Sequence, residues 1–422
     1  MAASRYEQFM KSLGYEKLSK RVEELFYAWD VTDKHYVMTK DDLVWIKKNL
    51  EFDEKLSDAF DQAMDIISHD EDLQEKLSFL QYVYMIGGHP SEWLITKAPE
   101  IHHDLMHTLT FQLIVVLSLI PLARKSFEKR NIEVDHMLFN VRHLKGYIKL
   151  KDESKGIYGI NLYGWALYLS SFGLIHLSTL HFMHHIYQDP FIFYRENRTK
   201  KVIALAKANL HVRKDGQFNG VNGIDDLWFK TTLIESDNTV SGYVVNPMGL
   251  ITNQLIDIDL SQYTCILKPG DMVIDFHIPS KSDYQIESFK SSLVQAIDFF
   301  KKHFSEYEYK AFWCVSWLYS PQLPKLLENP ESRLLSVSNQ GYVLPATPGV
   351  ESLNTFVFGN DHPDYKTITP KTSLQKSVIA YVNEKRSINA GCWIYMMDDL
   401  SRFGKTPYIQ QNDRVIYDHI MK

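Results

Sequence analysis

Cysteine is scarce in this chain of 422 residues. There are three, Cys265, Cys314 and Cys392, far apart and without a Cys-x-x-Cys spacing. An odd, scattered set argues against a disulfide framework or a cysteine-built zinc site, and it fits a reducing, cytoplasmic setting. Positive charge is not in excess: the formal net charge is −6 and no basic stripe stands out, which disfavours non-specific binding to nucleic acid. The opening segment, MAASRYEQFMKSLGYEKL, lacks the apolar core of a secretory signal. Long hydrophobic runs are missing but for one, Leu105 to Ala123, which contains His107, Gln112 and Pro121. It barely reaches membrane-spanning length and reads as a buried core helix, so no membrane partner is expected. Walker, Rossmann and Gly-x-Ser-x-Gly signatures are all absent.

What is present is an ordinary globular composition, 45% apolar and 23% charged. From Arg5 to about Lys151 apolar residues recur at three- and four-residue steps, as in EKLSKRVEELFYAWD and LQEKLSFLQYVYMIGG. The pair Gly87-Gly88 with Pro90 closes the latter. This predicts a helical domain of six to eight helices over residues 1–151. Beyond KDESKG the texture changes. FIFYRE and KKVIALAKANLHV read as strands with a turn at Asn197-Arg198. TCILKPGDMVIDFHIP reads as two strands around Lys268-Pro269-Gly270-Asp271. A helix from Ile286 to His303, a strand KAFWCVSWLY, a short helix SPQLPKLLENP and further strands RLLSVSNQGYVL and NTFVFGN follow. The expected fold is α+β: an all-helical N-terminal domain, a mixed sheet flanked by helices over 152–360, and a C-terminal helix and strand over 361–422 packed on it.

The stretch Met272 to Phe300 raises the chemical question. An apolar strand ends in His-Ile-Pro, a polar loop follows, and a helix begins, without the glycines that usually cradle a phosphate. A helix front offers unpaired N–H groups and a positive dipole end. Ser280, Ser282 and Asp283 are N-cap types, and Lys281 adds charge; a plain helix cap accounts for any one of them equally well. His103 and His107, four apart, have a metal-like spacing but no visible third ligand, so no metal is assigned. His176, His181, His184 and His185 form no known ligand pattern. In a strand His181 and His185 would share one face, with His176 and His184 on the other. Cys314 has no local base and reads as a buried strand residue.

KPGDMVIDFHIP, SLVQAIDFF and AFWCVSWLYSPQLPKLL together resemble a bacterial acyltransferase-domain family. Its members join an N-terminal helical N-acyltransferase domain to a GNAT-like C-terminal domain. The matching residues are Pro269, Gly270, Asp271, His277, Ile278, Pro279, Ser292, Leu293, Phe299, Phe300, Cys314, Ser316, Trp317, Leu318, Pro321 and Leu323. PLARKSFEKRNIEVDHML adds to the likeness, which runs from about residue 100 to 360. It implies a GNAT-like sheet that binds acetyl-CoA or another acyl-CoA where its fourth and fifth strands splay apart. Strand four would be Met272–Pro279 and strand five Lys310–Tyr319, with the pyrophosphate on Ser280–Gln285. The cofactor contacts implied are Phe276, Ile278, Ser280, Lys281, Ser282, Asp283 and Tyr284. The chain departs from the family where Ser280-Lys281-Ser282-Asp283 replace glycines, where Val315 replaces a histidine, and where Ser178-Thr179-Leu180-His181-Phe182-Met183 replace Gly-Arg-Leu-Gln-Phe-Glu.

The reading that results is an acyl-CoA-dependent N-acyltransferase, in the manner of an N-acetyltransferase, with a small-molecule amine or peptide as acceptor. His277 would be the base or a substrate contact, Tyr319 or Tyr284 the acid toward the leaving thiolate, and Ser316 a contact to pantetheine or substrate. The rival reading is a GNAT-like module that binds a ligand or a protein without catalysis. A metal hydrolase using the histidine clusters is a third.

Overall fold

Short polar residues placed just before apolar-periodic segments decide where the first helices start. Ser4, Thr39, Asp53 and Asp70 each accept a hydrogen bond from a first-turn amide, and Ser4 with Glu7 and Thr39 with Asp42 complete capping boxes. The computed structural model describes residues 4–16, 18–30, 38–85, 95, 97–279, 282–327 and 329–422. The chain divides into two compact units, Met1–His176 and Leu177–Lys422.

The first unit holds α1 (Arg5–Ser12), α2 (Lys20–Asp30), α3 (Lys40–Asn49), α4 (Glu54–Ser68), α5 (Glu71–Tyr84), α6 (Thr108–Lys129), α7 (Val134–Lys145), a hairpin of β1 (Ile148–Asp152) and β2 (Ile157–Ile160), and α8 (Tyr163–Ser170). Its core includes a ring cluster of Phe9, Phe26, Trp29 and Phe79, and the Trp29 Nε1–H donates to Ser78 Oγ at 3.2 Å. Among the described residues α6 is the one helix long and apolar enough to cross a membrane, but 67% of its most apolar stretch is buried within the protein. The helical expectation therefore holds up to residue 145, with a hairpin at the change of texture. The Gly87-Gly88 and Pro90 signal lies outside the described residues.

A short β3 (Ile175–Leu177) spans the division. The second unit then runs β4 (Leu180–Ile186), β5 (Phe191–Glu196), β6 (Val202–Ala206), β7 (His211–Arg213), β8 (Leu227–Lys230), β9 (Leu233–Glu235), β10 (Thr239–Asn246), β11 (Leu250–Asp259), β12 (Tyr263–Leu267), β13 (Met272–His277), α9 (Ile286–His303), β14 (Tyr309–Ser316), α10 (Leu323–Leu326), α11 (Arg333–Ser338), β15 (Tyr342–Pro345), α12 (Glu351–Phe358), α13 (Ser373–Asn383), β16 (Gly391–Met396) and α14 (Gln411–Ile420). One sheet has the order β11-β10-β6-β5-β12, with β9 on β10. The sheet that carries the site has the order β15-β16-β14-β13-β4-β3. In it β13 and β14 are parallel, while β4, β16 and β15 pair antiparallel to their neighbours.

Two expected strands are helices. RLLSVS in the first forms α11, capped by Ser332, and only Tyr342–Pro345 of that stretch is extended. NTFVF belongs to α12, which Gly359 ends at φ 74°. For α12 the quoted run omits the first helical residues, Glu351–Leu353; for α11 the Ser332 cap decides the helix over the apolar run. The residues expected to form a C-terminal attachment instead supply β16, an interior strand between β14 and β15, and the compact second unit begins at Leu177 rather than at 152.

Candidate active site

The turn before β13 sets its position. Gly270 takes φ 100°, a conformation open to glycine, and its N–H donates to Tyr187 O at 2.8 Å. The Tyr187 N–H returns a bond to Asp271 O at 2.8 Å, and Asp271 Oδ2 accepts from the Lys268 N–H. These bonds fix β13 beside β4. From there β13 and β14 pair from Met272/Tyr309 to Asp275/Trp313, where their ladder ends. Both strands continue. Phe276 and His277 stay paired to Phe182 and His181 of β4, and Cys314, Val315 and Ser316 stay paired to Trp393, Cys392 and Gly391 of β16. Each strand is held by its outer neighbour while the inner edges part.

The strand period of two gives this sheet two unlike faces. On the α9 side, Phe276 packs its ring on Phe289 at 5.3 Å and Trp393 at 5.4 Å, and Tyr319 lies parallel to Trp393 at 5.7 Å. Phe276 and Tyr319 are fully buried. On the opposite face the cross-strand pairs are polar: His185/Val273, Met183/Asp275/Trp313 and His181/His277.

His277 is 35% exposed at the end of β13, and its Nε2 lies 3.2 Å from Asp275 Oδ2. Burial disfavours a charged ring, but the charge and hydrogen bond of Asp275 together outweigh it and hold the His277 pKa above the usual histidine value. An Nε2–H donated to the carboxylate places the lone pair on Nδ1. Asp275 is 5% exposed, and its Oδ1 is buried without a hydrogen-bond partner among the described residues. Asp189, just beyond β4, accepts at Oδ2 from Trp313 Nε1 at 2.6 Å and from Cys392 Sγ at 3.3 Å. Burial raises the Asp189 carboxyl, the two donors lower it, and Asp275 adds a further upward push. The His185 ring stacks on Trp313 with centroids 4.2 Å apart.

The loop from β13 to α9 is tied rather than capped. Ser282 Oγ donates to Thr179 O and to Pro279 O, both at 2.8 Å. Ser292 Oγ accepts from the Thr179 N–H at 3.2 Å and donates to Ser288 O at 3.0 Å. The N-cap of α9 is Gln285, with no side-chain cap bond, so the expectation that Ser282 or Asp283 caps the helix is corrected. The helix starts at Ile286, beyond reach of a local cap from Ser282, whose hydroxyl serves Thr179. Asp283 Oδ2 accepts from Ser288 Oγ at 2.5 Å. Ser280 and Lys281 lie outside the described residues. Ile278 and Tyr284 are half-buried, and the Tyr284 hydroxyl donates to Tyr319 at 2.9 Å, so both phenols are turned inward and burial raises their pKa values. Phe276 offers only its main chain to a ligand. Ser316 Oγ accepts from the Leu318 N–H at 3.2 Å and opens the turn Trp317–Tyr319, which ends the strand earlier than expected.

The other histidines have structural partners. His107 is the N-cap of α6, its Nδ1 accepting from the Leu109 N–H, and His103 bonds Asp70 Oδ2 at 2.9 Å. They do not share a helical face, because the helix starts at Thr108. His184 faces α9 among Phe300 and Phe304, as strand alternation predicts, and His176 stacks on Phe139 at 3.8 Å. Among the described residues no three His, Cys, Asp or Glu side chains gather as a metal site would require.

The residues that form this sheet and the following helix fall within a known family. The family described as GNAT-like C-terminal domain matches residues 174–395. The chain belongs to that family. No curated protein matches it significantly in sequence. Among solved structures, the GNAT-like chain is similar to an acyltransferase in complex with decanoyl-CoA and teicoplanin, at 16% identity and a TM-score of 0.53. The match covers 93% of this chain and 99% of that one. An acyltransferase in complex with CoA and a teicoplanin derivative gives 16% identity and 0.54, with the same coverage of each chain. An acyltransferase mutant with octanoyl-CoA gives 16% and 0.53, covering 92% of this chain and 98% of that one.

Of the site, the sequence reading took His277 but passed over Asp275, which the Asp-x-His spacing on one strand face could have signalled. Asp189, His185 and Cys392 carried no such signal, because the sheet brings them together from distant segments.

Proposed function

We propose that this protein is an acyl-CoA-dependent N-acyltransferase that moves an acyl group from coenzyme A to an amine of a small molecule or peptide. One observation carries the reading: β13 and β14 stop pairing at Asp275/Trp313 while both continue, and β13 leads into a helix whose N-cap, Gln285, makes no side-chain cap bond among the described residues. The first-turn amides of a helix and its dipole suit a diphosphate, and an unladdered strand edge suits the amide-bearing pantetheine arm. Ser282, tied to Thr179 and Pro279, holds the loop in place. The similar acyltransferases with octanoyl-CoA and decanoyl-CoA direct attention to medium-chain donors.

In the reaction the amine nitrogen attacks the thioester carbonyl, a C–N bond forms and the C–S bond breaks. His277, oriented by Asp275, takes the amine proton. A main-chain N–H on the parted edge polarises the carbonyl. A thiol with an ordinary pKa of about 8.5 leaves as thiolate and is protonated by solvent, so the buried Tyr319 is not required.

A second reading, a binding module without catalysis, is favoured by the burial of Tyr319 and the absence of glycine from the loop. Calorimetry with acetyl-, octanoyl- and decanoyl-CoA, followed by thiol release with an amine panel, separates the two. Binding with amine-dependent thiol release supports the transferase, and binding without it supports the module. No binding at millimolar acyl-CoA removes the transferase and leaves only a module for another ligand or a protein.

A further inference from the structure

The acyl-transfer reading leaves the acceptor chemistry open, and the polar face of the sheet narrows it. We propose that the acceptor enters as a protonated aliphatic amine and is held by the carboxylates of Asp189 and Asp275, beside His277. The inference rests on the acyl-transfer reading and goes further by assigning the residues that select the acceptor.

Two observations carry it. The first is an unmet need: Asp275 is 5% exposed, yet only its Oδ2 is engaged, by His277, while Oδ1 is buried without a partner among the described residues. A buried carboxylate oxygen left unpaired is costly, and an arriving donor relieves that cost. The second is a fixed orientation at Asp189. Trp313 and Cys392 both bond its Oδ2, which locks the carboxyl plane and leaves Oδ1 for another donor. Trp313 stands directly opposite Asp275 in the strand register, so the two carboxylates share one face of the sheet. Both act on His185, and Asp275 acts on Asp189. Among the described residues no lysine or arginine forms an ion pair with either carboxylate.

Two carboxylates whose one ion-pair partner among the described residues, His277, engages only Asp275 Oδ2 leave room for a mobile ammonium. An ammonium group supplies three donors, enough for both free oxygens and one more acceptor. The Trp313 indole, stacked with His185, gives the adjoining methylene carbons an aromatic wall and favours a cation near its face. Neutral alcohols lack the charge, and anionic acceptors are repelled. The ammonium proton passes to His277, the free amine attacks the thioester, and the thiolate departs. A primary amine on a sugar or on an alkyl chain fits this chemistry.

The test is calorimetry on the full-length protein saturated with CoA, titrated with n-butylamine and glucosamine and with their neutral counterparts n-butanol and glucose. The expected result is heat from the amines alone, with amine affinity weakened roughly tenfold or more by Asp189→Asn while octanoyl-CoA binding is retained. Trp313→Phe keeps the ring and removes the donor to Asp189, so it weakens the amines by a smaller factor and serves if Asp189→Asn does not fold. Equal binding of amines and alcohols, no binding of amines, or amine affinity untouched in both variants overturns the proposal. If wild-type protein does not bind octanoyl-CoA at all, the acyl-transfer reading falls and this inference falls with it.

Discussion

At the scale of single residues, the proposed chemistry rests on His277, held by Asp275. A general base contributes about a hundredfold or more to a proton-transfer step, so His277→Ala is expected to lower kcat by that order while leaving the Kd for octanoyl-CoA within about twofold, as read by thiol release and calorimetry. The pH profile carries a sign. Asp275 raises the His277 pKa, so the acidic limb of kcat/KM lies above the ordinary histidine value, and activity rises as pH climbs through that limb. Asp275→Asn removes the charge that raises it, so the limb is expected to move to lower pH. An unmoved limb would show that the ring is not the titrating group. His277 was read from the sequence, while Asp275, two residues away on the same strand, was passed over. Their setting was not legible, because Asp189 and Cys392 reach them only through strand order.

At the scale of elements, the loop into α9 is held by the Ser282 hydroxyl and contains no glycine. Ser282 makes two bonds to main-chain carbonyls. Losing such a tie costs about 1 kcal/mol, roughly fivefold in affinity, and Ser282→Ala is therefore expected to weaken acyl-CoA binding by that order with kcat little changed. On the other lip, Gly391 opens β16 where a Cβ would lie 1.9 Å from Tyr319 O, a main-chain atom with little room to move. Gly391→Ala is expected to cost about 1–3 kcal/mol by overpacking, measured as a lower urea midpoint. The segments β13, α9 and β14 could be read from sequence because each has a long, regular apolar period. The helices α11 and α12 could not, because both are short and their apolar runs, with Phe356, Val357 and Phe358 in α12, imitate a strand.

At the scale of the whole molecule, the cysteines report on closure of the second unit. Cys265 is exposed, whereas Cys314 and Cys392 lie buried in adjacent strands of the site sheet, with thiols that burial pushes well up. One thiol is expected to react readily with a disulfide reagent in the native protein and three after denaturation; rapid reaction of all three in the native state would contradict the packed sheet. The α+β organisation was visible in the change of texture near residue 150. The unit boundary at His176/Leu177 was not, since a hairpin and a further helix, α8, precede it. Of the second sheet, β5, β6 and β12 were visible, whereas the long pair β10 and β11 was not.

The insertion of β16 between β14 and β15 also has a bearing on synthesis. During translation β13, α9 and β14 leave the ribosome well before Gly391 does. Until that residue emerges, the outer edge of β14 lacks the neighbour that holds it away from β13, and the nascent chain exposes an unsatisfied, apolar sheet edge. The parting of β13 and β14 is thus expected to be a late product of folding, fixed only once β16 has joined the sheet.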